Sequence, residues 1–382
     1  MKKILKLAGG FLLGAFIGGG IVVAGIALFG DIPLEEFGSK VVRLGVFKLA
    51  GSALMGIVLT ALSFFLQIVL HEGGHLVCGL LSGYRFLSFR IFSLTFVRQD
   101  GHLRVKRYKL ASTGGQCLLA PPDGFDEAVP HFWYYAGGVA ANLLTSLAAL
   151  SLLWAWADGL PLWLHLFLLL FGLTGLFLAA LNGIPSKLGG LCNDAYNIRL
   201  LLRRPADVRY MWIQLSAAAL IQTGTRPKDL PDEWFAHSAT HIDYADLLQV
   251  SMPLMQVSRL QDEERWDEAY TLLEEVYAHR DQLLGIYRLE TEAELLFTAL
   301  VLGKEACARA LWTDTLKTYV EAHSRVSSTK QRILFAVALY MENDEAKART
   351  ILQTVENRRA DYLMQGEAVM DIALMQSLLE KL

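Results

Sequence analysis

Four stretches of the chain run for 20 residues or more without a charged side chain: 9–30, 49–70, 132–157 and 159–184. A bilayer core about 30 Å thick needs roughly 20 apolar helical residues, because lipid offers the backbone no hydrogen-bond partners and each segment must satisfy its own. The runs predict membrane helices over 9–30, 49–78, 132–157 and 160–184, with only the turn around Asp158, Gly159 and Pro161 between the last two. Residues 9–30 follow a basic tip, Met1 to Lys6, and are longer than the ~7–15 residues of a signal-peptide core, so a retained span is expected over a cleaved one. The apolar patch Met211 to Thr223 is too short to span and is expected at the membrane interface or in a core.

Between the second and third runs the pattern changes to aromatic and branched residues, Tyr84 to Phe92, then Asp100-Gly101 and the alternation Leu103-Arg104-Val105-Lys106. Asp-Gly between such runs signals a tight hairpin, so a β region is predicted over 84–110. After Arg226-Pro227 the pattern is that of amphipathic helices. Glu-Ala pairs recur at Glu268, Glu305 and Glu345, near the period of stacked helical hairpins. This part resembles tetratricopeptide arrays weakly, which implies a concave groove for a protein partner; a plain helical bundle fits the same pattern. The predicted fold is a mainly α membrane protein, with four transmembrane helices and a membrane-associated β-hairpin or sheet over 1–225, and a cytoplasmic all-α helical-repeat domain over 226–382.

Composition sharpens that division. Hydrophobic residues make up 53% of the 382 and charged ones 19%, against roughly a quarter charged in ordinary soluble domains. Residues 1–225 hold 18 Lys and Arg against 11 Asp and Glu, and residues 226–382 hold 17 against 27. The formal charge of −3 is therefore a basic membrane half cancelling an acidic one. The basic excess lies beside apolar runs, which points to the bilayer and not to nucleic acid. Lys and Arg collect at the N-terminal tip and in 84–131 and 185–210. Four spans in a cell membrane with both termini cytoplasmic satisfy that distribution. Cys78, Cys117, Cys192 and Cys307 show no paired spacing and are expected to be reduced.

The second run ends in His71-Glu72-Gly73-Gly74-His75. Residues four apart share a helix face, so the two imidazoles can bind one Zn²⁺ while Glu72 reaches a water beside it. Ionisable groups adjoining 22 uncharged residues are costly in a membrane and functional by default. A tetrahedral catalytic zinc needs a third protein ligand. The candidate is Asp194, which follows the bend-prone string Asn182 to Gly190 at the end of the fourth run. Asp194 could instead cap the helix beginning near Ala195, and the two roles compete for the same oxygens. His237 and His241 are also four apart, but they lack an intervening Glu and read as ordinary histidines, as do His102, His131 and His165.

These residues resemble the signatures of the site-2 protease family of intramembrane zinc metalloproteases: His71-Glu72-Gly73-Gly74-His75, then Gly137-Gly138-Val139-Ala140-Ala141-Asn142, then Asn182-Gly183-Ile184-Pro185 followed by Asp194. The resemblance covers residues 50–200 and implies His71, His75 and Asp194 as zinc ligands, Glu72 as general base and Asn142 as the group that steadies the substrate carbonyl. The third signature departs from the family, whose Asp stands eight residues after the Asn and precedes Gly; Asp194 stands twelve after Asn182 and precedes Ala195. For Asn142 an interhelical hydrogen bond joining the third and fourth spans is the other reading. For the β region the resemblance implies an edge for an extended substrate; a hairpin whose arginines touch anionic lipid is the other reading. The expected activity is hydrolysis of a membrane-spanning or signal-peptide-like peptide near the cytoplasmic face of a bacterial membrane. A non-catalytic membrane adaptor of the same fold is the alternative. A metal transporter would need polar residues spread along several spans, and these spans lack them.

Overall fold

The structure is a computed structural model and describes residues 46–99, 101–107, 114–124, 131–156, 159–188, 191–235 and 242–381. The first predicted span (9–30) and the pair His237 and His241 lie outside these residues.

Among the described residues three helices are long and apolar enough to cross a membrane: α1 (Val46–Leu81), α2 (His131–Ala155) and α3 (Leu162–Gly183). Helix α1 has 36 residues and is roughly 54 Å long, more than a bilayer core requires. The three pack against one another with an interior opposite to that of a soluble bundle. Ser63, Gln67, Asn142, Ser146 and Thr174 point inward and are buried, while Leu54, Val58, Leu144, Leu147, Leu173 and Phe177 stand exposed. An exposed apolar face of this extent is natural against lipid, where polar contacts and close packing hold helices together.

Between α1 and α2 the chain forms a four-stranded antiparallel sheet, β1 (Arg85–Ile91), β2 (Leu94–Gln99), β3 (His102–Arg107) and β4 (Gly115–Ala120), ordered β3-β2-β1-β4. The predicted hairpin is present as β2 and β3, with Gln99 paired to His102. The sheet also extends past the predicted boundary at 110: β4 pairs with β1 and closes the side facing α1. β4 has no pairing partner on its other side among the described residues.

After α3 comes a small hairpin, β5 (Lys187–Leu188) and β6 (Leu191–Cys192), and then α4 (Asp194–Arg203) and α5 (Pro205–Gln222). α5 holds the patch Met211 to Thr223 and packs it inward: Met211, Trp212, Ile213 and Ala217 are buried, against β4 on one side. The Trp212 indole donates to the Pro122 carbonyl at 3.0 Å and the Gln222 amide to the Leu87 carbonyl at 3.1 Å, tying α5 to the sheet.

The remaining helices are α6 (Leu247–Asp262), α7 (Trp266–Ala278), α8 (Gly285–Val301), α9 (Glu305–Leu311), α10 (Asp314–His323), α11 (Ser328–Ala336), α12 (Glu345–Asn357) and α13 (Gln365–Glu380). Helices α6 with α7, α8 with α9 and α11 with α12 are neighbouring pairs. Each pair turns through one residue at positive φ two places before its second helix: Glu264, Gly303 and Asn343. The same left-handed residue at the same place, every ~40 residues, is a repeat in backbone conformation. It carries the expected stacked hairpins, with α13 closing the array.

Candidate metal centre

The spacing of His71 and His75 on α1 puts both rings on the face turned to α2. Their centroids lie 4.7 Å apart at 89° and their Nε2 atoms 3.2 Å apart. Glycines on α2 make room for them. A Cβ at Gly138 would stand 2.5 Å from His75 Nε2 and 2.6 Å from His71 Cε1, and Cβ atoms at Gly74 and Gly137 would overlap the facing backbone. The two helices thus cross backbone to backbone beside the imidazoles, as small residues allow in membranes.

The ring orientations are fixed from behind. His75 Nδ1 is 2.7 Å from the Tyr134 carbonyl, which only accepts, so Nδ1 carries the proton. His71 Nδ1 is 2.7 Å from Asn142 Oδ1 and is likewise a donor. Both Nε2 atoms of the neutral rings therefore point to one place as bare lone pairs.

Asp194 brings the third ligand atom. Its Oδ2 is 3.2 Å from His71 Nε2 and 3.4 Å from His75 Nε2, and the three ligand atoms lie within 4.8 Å of one another. Three electron-rich atoms this close, with both ring protons engaged elsewhere, fit a cation bound between them.

The competition expected at Asp194 is resolved one residue earlier. Asn193 is the N-cap of α4, its Oδ1 accepting from the Tyr196 N–H at 2.9 Å. The same side chain donates to the Leu181 and Ile184 carbonyls and accepts from the Ser186 N–H. With the Asn193 N–H bonded to the Ser186 carbonyl at 3.2 Å, these contacts close the neck of the β5–β6 hairpin. That hairpin lies between Asn182 and Asp194, and the chain leaves its neck at Asp194.

Glu72 is 8% exposed and makes no hydrogen bond or ion pair with the described residues. It stands against the start of β4, where a Cβ on Gly115 would meet its Cγ and Oε1 at 2.5 Å. Arg90 pins that corner by donating to the Gly115 carbonyl at 3.2 Å. His71, Glu72, His75 and Asp194 share a cavity of about 610 Å³ whose other walls are the strand Gly115 to Leu118 and the end of α3 at Asn182.

Asn142 differs from the expectation that it steadies a substrate carbonyl. It is fully buried and donates to the Gln67 carbonyl at 2.9 Å and to Gln67 Oε1 at 2.7 Å, while its Oδ1 faces His71. Its place is behind the histidine, and its interhelical hydrogen bonds run to α1, the second predicted span, and not to the fourth as expected. Sequence reasoning missed Gln67 and Asn193. The only amide in the run 49–70, one turn before His71, was the available signal for Gln67. Comparison with protein-family models, with curated proteins and with solved structures finds no match to this chain.

Proposed function

We propose that the chain is an intramembrane zinc endopeptidase of the site-2 protease kind, hydrolysing a transmembrane or signal-peptide-like peptide near the cytoplasmic face of a bacterial cell membrane. In this reading residues 9–30 form a fourth span, both termini are cytoplasmic, and the helical array recruits substrate or a regulatory partner. One observation carries it: the convergence of His71, His75 and Asp194 in one cavity with a carboxylate, Glu72, that makes no hydrogen bond or ion pair with the described residues.

Zinc held by His71, His75 and Asp194 would acidify water and polarise a peptide carbonyl. Glu72 takes the proton of the attacking water and returns it to the leaving amine. The unpaired side of β4, running along the cavity, can hold the substrate as an added strand, which exposes a scissile bond that a helix would keep hydrogen-bonded. The β2–β3 hairpin is on the far side of the sheet, where its exposed Arg98 suits the cytoplasmic lipid surface. An adaptor reading leaves Glu72 without a task in a place where an idle carboxylate is costly.

Reconstituted protein should cut membrane peptides, and Glu72→Gln should lower turnover by roughly 10²–10⁴-fold with zinc retained. Peptides accumulating in cells that carry only the Glu72→Gln chain would identify the substrate. Undiminished cleavage by that variant would remove Glu72 as the base, and no cleavage by the wild type with zinc bound would favour the adaptor.

A further inference from the structure

Gln67 is fully buried in the middle of an apolar helix, where an amide costs several kcal/mol unless every polar atom is paired. Its contacts form a directed chain. Gln67 Nε2 donates to the Phe171 carbonyl of α3 at 3.1 Å, and that carbonyl can only accept. Its Oε1 is therefore the end turned to α2, where it accepts from Asn142 Nδ2 at 2.7 Å. Asn142 Nδ2 also reaches the Gln67 carbonyl, a second acceptor that cannot be reversed. Side-chain amides are ordinarily ambiguous end for end, yet here each is anchored on a backbone oxygen. Asn142 Oδ1 is left facing His71 Nδ1, which must be the protonated nitrogen.

Room for this chain is built into α3. A Cβ at Gly175 would overlap Gln67 Nε2 and Ser146 Oγ, so glycine there lets the Gln67 amide pass to Phe171. Ser146 lies 3.5 Å from Gln67 Nε2 and completes the lining.

We infer that Gln67 is a positioning residue: through Asn142 it fixes the tautomer and ring plane of His71, so that Nε2 is offered to the metal, and it makes the α1–α2–α3 packing part of the metal site. This inference rests on the zinc site proposed above. It assigns to three helices a ligand orientation that the His-Glu-His signature leaves open.

The test reads the metal rather than cleavage. Zinc affinity, by chelator competition on the solubilised full-length chain, should fall about 10–100-fold in Gln67→Leu, as for other groups that orient a ligand from behind. Cobalt in place of zinc should show a changed absorption band in that variant. Gln67→Glu should restore both, because a buried neutral carboxyl can donate to Phe171 and accept from Asn142 as the amide does. Gly175→Ala should resemble Gln67→Leu. Nitrogen-15 shifts of the metal-free wild type supply a readout that needs no variant, and His71 should be protonated on Nδ1. Wild-type zinc affinity and cobalt spectrum in Gln67→Leu, or His71 protonated on Nε2, would overturn the inference while leaving the protease reading intact. A wild-type chain that binds no zinc would overturn both.

Discussion

At the scale of single residues the site is made as much by absent side chains as by present ones. Gly138 admits the imidazoles, Gly74 and Gly137 let two backbones touch, and Gly115 leaves the volume that Glu72 occupies. The facing histidine pair and its neighbouring carboxylate were legible in the sequence because their spacing on a helix face is their geometry. The role of Asn142 was not, since an amide can serve a substrate or a histidine equally well and only its neighbours decide. The partners that decide it, Gln67 and His71, stand one turn apart on α1. Gly115→Ala isolates the carboxylate from the metal. The added methyl must displace Glu72, and a shift of about 1 Å in a reacting group costs roughly 10²-fold. Turnover should fall by that order with zinc content unchanged, measured on one preparation; unchanged turnover would mean that Glu72 works from another position.

At the scale of elements, the apolar helices and the amphipathic array were readable from periodicity, and their ends lie within a few residues of those expected. Strand β4 was not readable. Gly115 to Ala120 has no strong alternation, and its strand conformation comes from pairing with β1 and packing on α1 and α5. The repeat was legible only faintly, because what recurs is the backbone at Glu264, Gly303 and Asn343 and not the side chains there. The stretch from Asn182 to Asp194 also belongs at this scale. A two-residue-per-strand hairpin occupies it, and Asn193 holds both its neck and the start of α4. Asn193→Ala removes an N-cap, worth about 0.5–2 kcal/mol, together with the bonds that fix Asp194. Both the thermal midpoint and zinc affinity should drop, whereas a variant that loses stability alone would leave Asp194 held by something other than this neck.

At the scale of the molecule, the basic and acidic halves seen in the composition meet in physical contacts. Lys106 on β3 donates to the Ala360 and Tyr362 carbonyls just before α13, at 2.7 and 3.0 Å, and α5 lies between the sheet and α13. The array holds a buried polar cluster within its apolar core. Arg332, 1% exposed, pairs with Asp371 and Glu294 at 2.8 Å each and lies over the Phe297 ring. Beside it burial, with the nearby Asp371 charge adding to it, pushes the Glu367 carboxyl up to about 8, and burial pushes Asp371 up to about 6. Between the ordinary carboxylate range and pH 8 the folded chain then holds more protons than the unfolded one, so stability falls as pH rises through that window and levels off above it. Glu367→Gln should flatten the upper part of that slope and raise the melting temperature at pH 8 relative to wild type. An unaltered pH profile would show that Glu367 ionises normally in the folded array.

The central claim is that His71, His75 and Asp194 hold one metal ion. Metal analysis of the purified full-length chain by mass spectrometry tests it most directly, alongside Asp194→Ala purified in the same way. The account predicts about one zinc per wild-type chain, as for a site with three protein ligands, and the loss of most of it in Asp194→Ala. A wild-type chain without stoichiometric metal, or an Asp194→Ala chain that keeps all of it, would contradict the account.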